Sequence, residues 1–183
     1  KIGDLVNQEN HIRSGPFGSA LKHSEFKSQG ICVLGIDNAV NNVFVSSEKR
    51  FITREKYGEL KRYTVFPGDV LITIMGTTGK SAVVPESIPL AITTKHLATI
   101  TPNKDLIESE VLSFAIHTHP ELLKQIHRNN KGAVMPGLNL GVIRQLKFPI
   151  PPMRNQKQFM NVLRVIKNLK EKNIGIVISD HNV

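Results

Sequence analysis

The sequence contains one cysteine, no tryptophan and no long hydrophobic run, and each absence excludes a class of protein. A single residue, Cys32, cannot form an internal disulfide framework or a cysteine-based zinc finger. A transmembrane helix needs about 20 consecutive apolar residues, whereas the apolar runs here are only a few residues long. The first residues, Lys1-Ile2-Gly3-Asp4, lack the apolar core of a secretory signal. We therefore expect a cytoplasmic protein.

Acidic residues are scarce relative to basic ones, and the imbalance is concentrated in one segment. The chain has 24 Lys and Arg residues against 15 Asp and Glu residues, which gives a net charge of +9. Between positions 122 and 170 there is no acidic residue, and the basic ones are Lys124, Arg128, Lys131, Arg144, Lys147, Arg154, Lys157, Arg164, Lys167 and Lys170. Such a segment is typical of a protein that contacts nucleic-acid phosphates. A solvated basic surface without a partner fits the charge equally well.

Aromatic residues are also few, at 5% of the chain. Proteins that bind single-stranded nucleic acids generally stack the bases on aromatic side chains. If the partner is a nucleic acid, this scarcity favours duplex DNA over a single strand.

Short strand signals are concentrated between residues 31 and 101. The strongest is 70–75, which follows the turn signal Pro67-Gly68-Asp69 and is expected to pair with 81–85. Further strands are expected at 31–36, 90–94 and 97–101. After residue 102 the apolar residues recur at helical spacing and predict helices at about 107–117, 120–130 and 154–172. These signals indicate a β-rich domain followed by an appended amphipathic helix.

Two glycine-dependent catalytic patterns are incomplete in this sequence. The run 76–81 contains a Gly-Lys-Ser like that of a phosphate-binding loop, but the position of the loop's first glycine holds Ile74. A strand signal also follows this run, where the phosphate-binding loop requires a helix. Methyl transfer to an amino group of a base is expected to need a glycine-rich cofactor loop that opens a helix and an acidic or amide residue before a Pro-Pro pair. This chain has no such loop, and Ile150 precedes Pro151-Pro152.

Two metal-dependent patterns are equally weak. His117, His119 and His127 are not accompanied by a cluster of Cys or carboxylate residues that would complete a metal site. Asp37 with Glu59 and Lys61 only faintly matches the carboxylate–lysine pattern of metal-dependent nucleases. We therefore expect no catalytic residue and no metal-binding residue in this chain.

Several motifs, in order along the chain, resemble those of one family. They are Gly3-Asp4-Leu5, the run 14–19 (SGPFGS), the run 35–40 (GIDNAV), the run 67–80 (PGDVLITIMGTTGK), the run 137–140 (GLNL), and the run 148–153 (FPIPPM) followed by Gln156. Together they resemble the specificity (S) subunit of type I restriction–modification enzymes over about residues 1–172. In that family Glu-Gln often follows the Pro-Pro turn, whereas this chain has Asn155-Gln156.

This resemblance implies a fold and a division of labour. The expected fold is α+β: a β-rich, twisted or barrel-like target-recognition domain with short helices at 1–152, then a C-terminal amphipathic spacer or dimerisation helix and tail at 153–183. The S subunit reads DNA and does no chemistry. The resemblance therefore implies no cofactor in this chain, S-adenosylmethionine on a modification methyltransferase subunit, and ATP and Mg²⁺ on a restriction subunit. A full S subunit has two such domains, so this chain is expected to read half of a bipartite site, as a half-length subunit or a fragment.

The candidate site residues fall into two groups. Polar turns available for DNA contact contain Lys22 and His23, Thr77, Thr78 and Lys80, Lys95 and His96, and Arg128, Asn129, Asn130 and Lys131. The last four are the preferred base-reading candidates, because they combine the residue types that read guanine and adenine. Contact with phosphate or water alone is at least as good an explanation for each residue singly. On the C-terminal helix, Phe159, Val162, Ile166 and Leu169 form an apolar stripe that packs on the chain's own domain, a second copy or a partner subunit.

Two other functions stay open at this point. One is a standalone DNA-binding regulator, which would not need an exposed apolar stripe on the C-terminal helix. The other is a metal-dependent nuclease, which would need Asp37, Glu59 and Lys61 to converge on a metal ion.

Overall fold

Nine strands and five α-helices are present in the residues that the computed structural model describes, which are 1–40, 42–46, 50–130 and 137–179. The strands are β1 (Ile12–Ser14), β2 (Ile31–Leu34), β3 (Ala39–Val40), β4 (Val43–Phe44), β5 (Phe51–Ile52), β6 (Val70–Thr73), β7 (Ser81–Val83), β8 (Ala91–Thr93) and β9 (Leu97–Ile100). The helices are α1 (Arg54–Leu60), α2 (Ser109–Thr118), α3 (Pro120–Asn130), α4 (Leu140–Gln145) and α5 (Met153–Ser179). Short 3-10 helices lie at Ile2–Leu5, Glu9–His11, Gly18–Ala20, His23–Glu25, Ile36–Asn38 and Lys61–Tyr63.

The strands form three small sheets. The first has the order β1-β9-β6-β7 and is antiparallel throughout, with Leu71 opposite Thr99 on one side and Ala82 on the other. The second has the order β5-β2-β8, in which β2 and β8 are parallel. The third is the β3–β4 hairpin. The α+β fold with short helices is thereby confirmed.

The sheets of the described residues are open, so the barrel-like closure expected for the domain is not formed there. Closing a barrel requires the outer strands of a sheet to pair with each other. In the first sheet the outer strands are β1 and β7, and the β3–β4 hairpin and α2 pack against β7 instead. Ser81 Oγ donates to the Ser113 carbonyl at 2.8 Å, which fixes α2 on this strand.

The core is built from continuous apolar runs in the central strands, as a sheet covered on both faces requires. Leu71 of β6 packs with Leu97 of β9 and with Cys32 and Leu34 of β2 in one cluster. Cys32 is 4% exposed, so it serves as a small core residue. A second cluster of Ile31, Val33, Ile52, Leu60 and Ile92 lies between the second sheet and α1.

The chain divides into two compact units, residues 1–149 and 150–183. The first contains the three sheets and α1 to α4, and Asn139 caps α4 by accepting a hydrogen bond from the Val142 backbone N–H at 2.9 Å. The second consists mainly of α5, near whose start Gln156 Nε2 donates to the Pro151 carbonyl at 2.9 Å. None of the helices in the described part of the chain combines the length and apolar character needed to cross a membrane. The assignment of 1–152 to DNA recognition and 153–183 to a spacer or dimerisation role stays a prediction.

Candidate nucleic-acid interface

The turn between β6 and β7, residues 74–80, is organised by Thr73. The Thr73 backbone N–H donates to the Lys80 carbonyl at 2.8 Å, and its hydroxyl accepts from the Lys80 N–H at 2.9 Å and donates to the Thr77 carbonyl. Gly76 and Gly79 have φ angles of 78° and 83°, which only glycine adopts without strain. The segment after this turn is the return strand β7 of a hairpin, whereas a phosphate-binding loop is followed by a helix. This hairpin carries Thr77, Thr78 and Lys80 at the end of the first sheet.

A second turn, residues 94–96, is joined to this hairpin. This turn follows β8. The parallel neighbour β2 ends at the same edge of the sheet, where the Thr94 N–H donates to the Leu34 carbonyl at 2.8 Å. The Ile74 N–H donates to the His96 carbonyl at 2.9 Å, which connects the two turns directly. Lys95 is exposed at this turn and His96 is half-buried. The structure thus brings together Thr77, Thr78, Lys80, Lys95 and His96, as a shared surface requires.

Arg50 lies beside the second turn and was missed by the sequence analysis. Its backbone is bonded to Val33 of β2, since the Val33 N–H donates to the Arg50 carbonyl at 2.8 Å. Its guanidinium forms an ion pair with Asp37, and Arg50 Nε donates to the Val33 carbonyl at 3.3 Å. A Cβ at position 35 would overlap Arg50 Nη2, so Gly35 leaves the space that this side chain occupies. Arg50 precedes a two-residue strand without periodicity, so no local pattern marks it.

Two histidines beside these turns have lowered pKa values. Burial lowers the pKa of His96, and the positive charges of Lys95 and Arg50 lower it further. Burial likewise lowers the pKa of His117 at the end of α2, with a further contribution from Lys80. These five residues, Arg50, Lys80, Lys95, His96 and His117, form a basic edge around the two turns.

Helix α3 packs against the hairpin of the basic edge. A Cβ at Gly79 would lie 3.2 Å from Cδ1 of Ile126, so the absence of a side chain allows this close approach. The Gln125 side-chain amide donates to the Lys147 carbonyl at 2.6 Å and accepts from the Lys147 N–H at 2.9 Å, which holds α3 on the segment after α4. Beside this contact lies an open cleft of about 450 Å³, lined by Gln125, Arg128, Asn129, Asn139, Gly141, Val142, Gln145 and Leu146.

The sequence model of the family described as the type I restriction modification DNA specificity domain matches residues 5–178 of this chain. The chain belongs to this family. The resemblance inferred from the motifs is therefore confirmed, together with the DNA-recognition role that defines a specificity domain. Specificity subunits are generally non-catalytic.

Solved structures of S subunits have a similar fold. The chain matches the HsdS subunit from Thermoanaerobacter tengcongensis with a TM-score of 0.62 and 17% identity, covering 92% of this chain and 37% of that one. It matches the type I S subunit from M. genitalium with a TM-score of 0.57 and 11% identity, covering 93% and 39%. A chain from a study of complex assembly and conformational transition in the type I R-M system gives a TM-score of 0.64 and 16% identity, covering 92% and 37%. This specificity domain therefore spans well under half of these chains.

The preferred base-reading candidates of the specificity domain lie on a helix rather than on a free loop. Arg128 and Asn129 belong to the last turn of α3 and line the cleft, and Asn129 Nδ2 donates to the Gln125 carbonyl at 2.8 Å. Asn130 ends the same helix, and Lys131 lies outside the described residues.

Lys22 and His23 are placed at the opposite end of β2 from the basic edge. The Lys22 N–H donates to the Glu25 side chain, and Glu25 forms an ion pair with Lys56 of α1 at 2.9 Å. Helix α1 begins just after β5, whose last residue pairs with Ile31 at the start of β2. Arg50 and the 94–96 turn lie at the other end of β2, beside Val33 and Leu34. A single DNA contact surface centred on the basic edge therefore does not include these two residues.

The two carboxylates of the nuclease pattern make other contacts. Asp37 pairs with Arg50, and Glu59 pairs with Lys56 at 2.8 Å. Within the part of the chain that the structure describes, no group of three or more His, Cys, Asp or Glu side chains is placed to hold a metal ion. The geometry of these carboxylates gives no support to the nuclease alternative.

Proposed function

We propose that this specificity domain binds duplex DNA through the basic edge and reads one half of a bipartite recognition site. The carrying observation is the hydrogen bond between Ile74 and His96, which joins two turns bearing Thr77, Thr78, Lys80 and Lys95. Hydroxyl, ammonium, imidazole and guanidinium groups meet there, and these are the groups that contact phosphates and base edges. Arg128 and Asn129 extend this surface along α3.

The proposal includes partner subunits. In this view the chain positions a modification methyltransferase subunit and a restriction subunit, which carry S-adenosylmethionine, ATP and Mg²⁺, while the chain itself holds no cofactor and does no chemistry. Support comes from family membership and from the similarity to a chain of an assembled type I R-M system. Because the similar S subunits are much longer, α5 is proposed as a spacer that connects this half-site reader to a second one.

The test is the salt dependence of duplex binding. If 4–6 cations contact phosphates, the log–log slope of affinity against salt is expected to be about −4 to −5. Fluorescence anisotropy with the full chain and duplex DNA at several salt concentrations measures this slope.

A matched pair of variants localises the contact. Lys80→Gln with Lys95→Gln removes two charges of the basic edge and is expected to reduce the slope by about 2. Lys61→Gln, an exposed cation after α1, is the control and should leave the slope unchanged. A slope near zero, or tighter binding to single strands than to duplex, would contradict the proposal.

A further inference from the structure

Arg50 differs from the other cations of the basic edge in how firmly its side chain is held. The ion pair with Asp37 and the bond from Nε to the Val33 carbonyl fix the guanidinium at two of its nitrogen atoms. Both side chains of the pair are 26% exposed, so the guanidinium is partly open to solvent. A guanidinium has five N–H donors, and these two bonds use two of them.

Fixing an arginine in this way suits it for recognition of a planar group. A flexible side chain loses rotamer entropy when it is ordered on binding, whereas these two bonds order the Arg50 side chain before DNA binds. The Cβ-free position at Gly35 gives the guanidinium a defined place beside the 94–96 turn. Burial lowers the pKa of His96 in this turn, and the charge of Arg50 lowers it further.

We propose that Arg50, positioned by Asp37, reads a guanine in the major groove of the half-site. Arginine can donate two hydrogen bonds to O6 and N7 of guanine. No other base presents this pair of acceptors in the major groove. The inference rests on the proposed function, because it places the basic edge on DNA. It goes further by assigning one base identity to one side chain.

Other roles of Arg50 would give different results. A phosphate contact would contribute equally to all sequences and would reduce the salt slope by about 1 when removed. A purely structural role in tying residue 37 to β2 would change the unfolding temperature without changing the preferred sequence. Loss of discrimination at one base position distinguishes guanine reading from both.

The experiment is selection from a randomised duplex library by the full chain, supplemented with its methyltransferase subunit, followed by sequencing. The wild-type motif is expected to contain a guanine at a position where Arg50→Gln loses discrimination by about 5- to 150-fold, which corresponds to 1–3 kcal/mol. The other positions of the motif should keep their preferences. Lys95→Gln, the matched control, should weaken binding to all sequences alike.

A second variant keeps the test decisive if Arg50→Gln folds poorly. Asp37→Asn retains Arg50 and the size of its partner but removes the ion pair, so discrimination at the same guanine should fall by a smaller factor. Thermal unfolding followed by circular dichroism identifies variants that have lost the fold. A wild-type half-site without guanine, or uniform weakening by both variants, would overturn the inference while leaving DNA binding by the basic edge intact. If Lys95→Gln also leaves the affinity unchanged, the proposed function itself fails.

Discussion

Arg13 and Asp69 form an ion pair in the interior of the first unit, away from the basic edge. Arg13 Nη2 lies 3.0 Å from Asp69 Oδ2, and the Asp69 side chain is only 1% exposed. The carboxylate also accepts hydrogen bonds from the Thr101 hydroxyl at 2.6 Å and the Phe66 N–H at 2.9 Å. Burial raises the pKa of Asp69, and the bond from Thr101 and the charge of Arg13 oppose this effect. The basic residue at position 13 therefore stabilises the fold and is not available to DNA.

Replacing Arg13 with Met is expected to destabilise the protein by about 3–5 kcal/mol, because it leaves the Asp69 carboxylate buried without its counter-charge. Urea unfolding followed by circular dichroism measures the difference. Lys124→Met, at an exposed position of α3, is the matched control and should change stability by no more than about 0.5 kcal/mol. Equal stability of Arg13→Met and the wild type would show that the pair contributes nothing.

The lowered histidine pKa values predict a pH dependence of DNA binding. Burial lowers these two pKa values most, and the nearby cations lower them further. DNA phosphates near His96 and His117 would counteract the cations, so binding should raise both pKa values and take up protons. Affinity is therefore expected to increase as the pH falls from 7.5 to below the ordinary histidine value of 6.5. The free protein, by contrast, is expected to lose folding stability as the pH falls through this range. The pKa values of His96 and His117 are lower in the folded state, so the unfolded chain binds more protons there.

Anisotropy titrations between pH 7.5 and 6, with circular dichroism to check the fold, test this expectation. NMR titration of the His96 ring should give a pKa below 6.5 in the free protein and a higher value with DNA. His96→Asn should reduce the pH dependence, whereas His11→Asn, outside the basic edge, should preserve it. Identical His96 pKa values with and without DNA would contradict the prediction.

Among the secondary-structure elements, α5 has an apolar stripe whose side chains are largely exposed to solvent. Val162, Ile166 and Leu169 are 56%, 44% and 55% exposed, and Phe159 is half-buried. These residues follow the spacing of 3, 4 and 3 expected for one helix face. Isolated helices with so short a stripe are marginal in water. The stripe is therefore expected to mediate self-association or docking of a methyltransferase subunit.

Replacing Ile166 and Leu169 with Asp should abolish that association, since each buried aliphatic side chain contributes about 1.5–3 kcal/mol before entropic costs. Sedimentation of the full chain and capture of the methyltransferase subunit measure the two possible assemblies. Asn161→Asp, at an exposed polar position of the same helix, adds charge without touching the stripe and should leave both unchanged. If the double variant stays folded and assembles normally, the stripe is not an interface.

At the scale of the whole molecule, the proposed division of labour predicts that the isolated chain is catalytically silent. Residues 70–83 form a hairpin, and Asp37 and Glu59 are held in separate ion pairs. Incubation of the pure chain with DNA, Mg²⁺, ATP and S-adenosylmethionine should give neither cleavage nor methyl transfer. Adding the partner subunits provides the positive control. Metal-dependent cleavage that is lost in Glu59→Gln or Lys61→Ala would instead favour the nuclease alternative.

The local elements and the family were predictable from the residue pattern alone. The strand at β6, the return strand β7 and the helices α2, α3 and α5 were predicted close to their observed positions, because turn signals and apolar periodicity are local properties. The short strand at 70–73 ends earlier than predicted, because the Thr73 hydroxyl bonds to Lys80 and Thr77 and closes the turn there. The glycine and proline motifs were sufficient to identify the S-subunit family, because the motifs and their order along the chain can be recognised without knowing the tertiary structure.

The tertiary structure sets which polar residues form one surface. It joined the 74–80 and 94–96 turns through Ile74 and His96, and it added Arg50, which no local pattern had marked. It also separated Lys22 and His23 from that surface by placing them at the other end of β2. These relations depend on strand pairing and packing between segments far apart in the chain, in which a side chain's partners are set by the whole fold rather than by its neighbours in sequence.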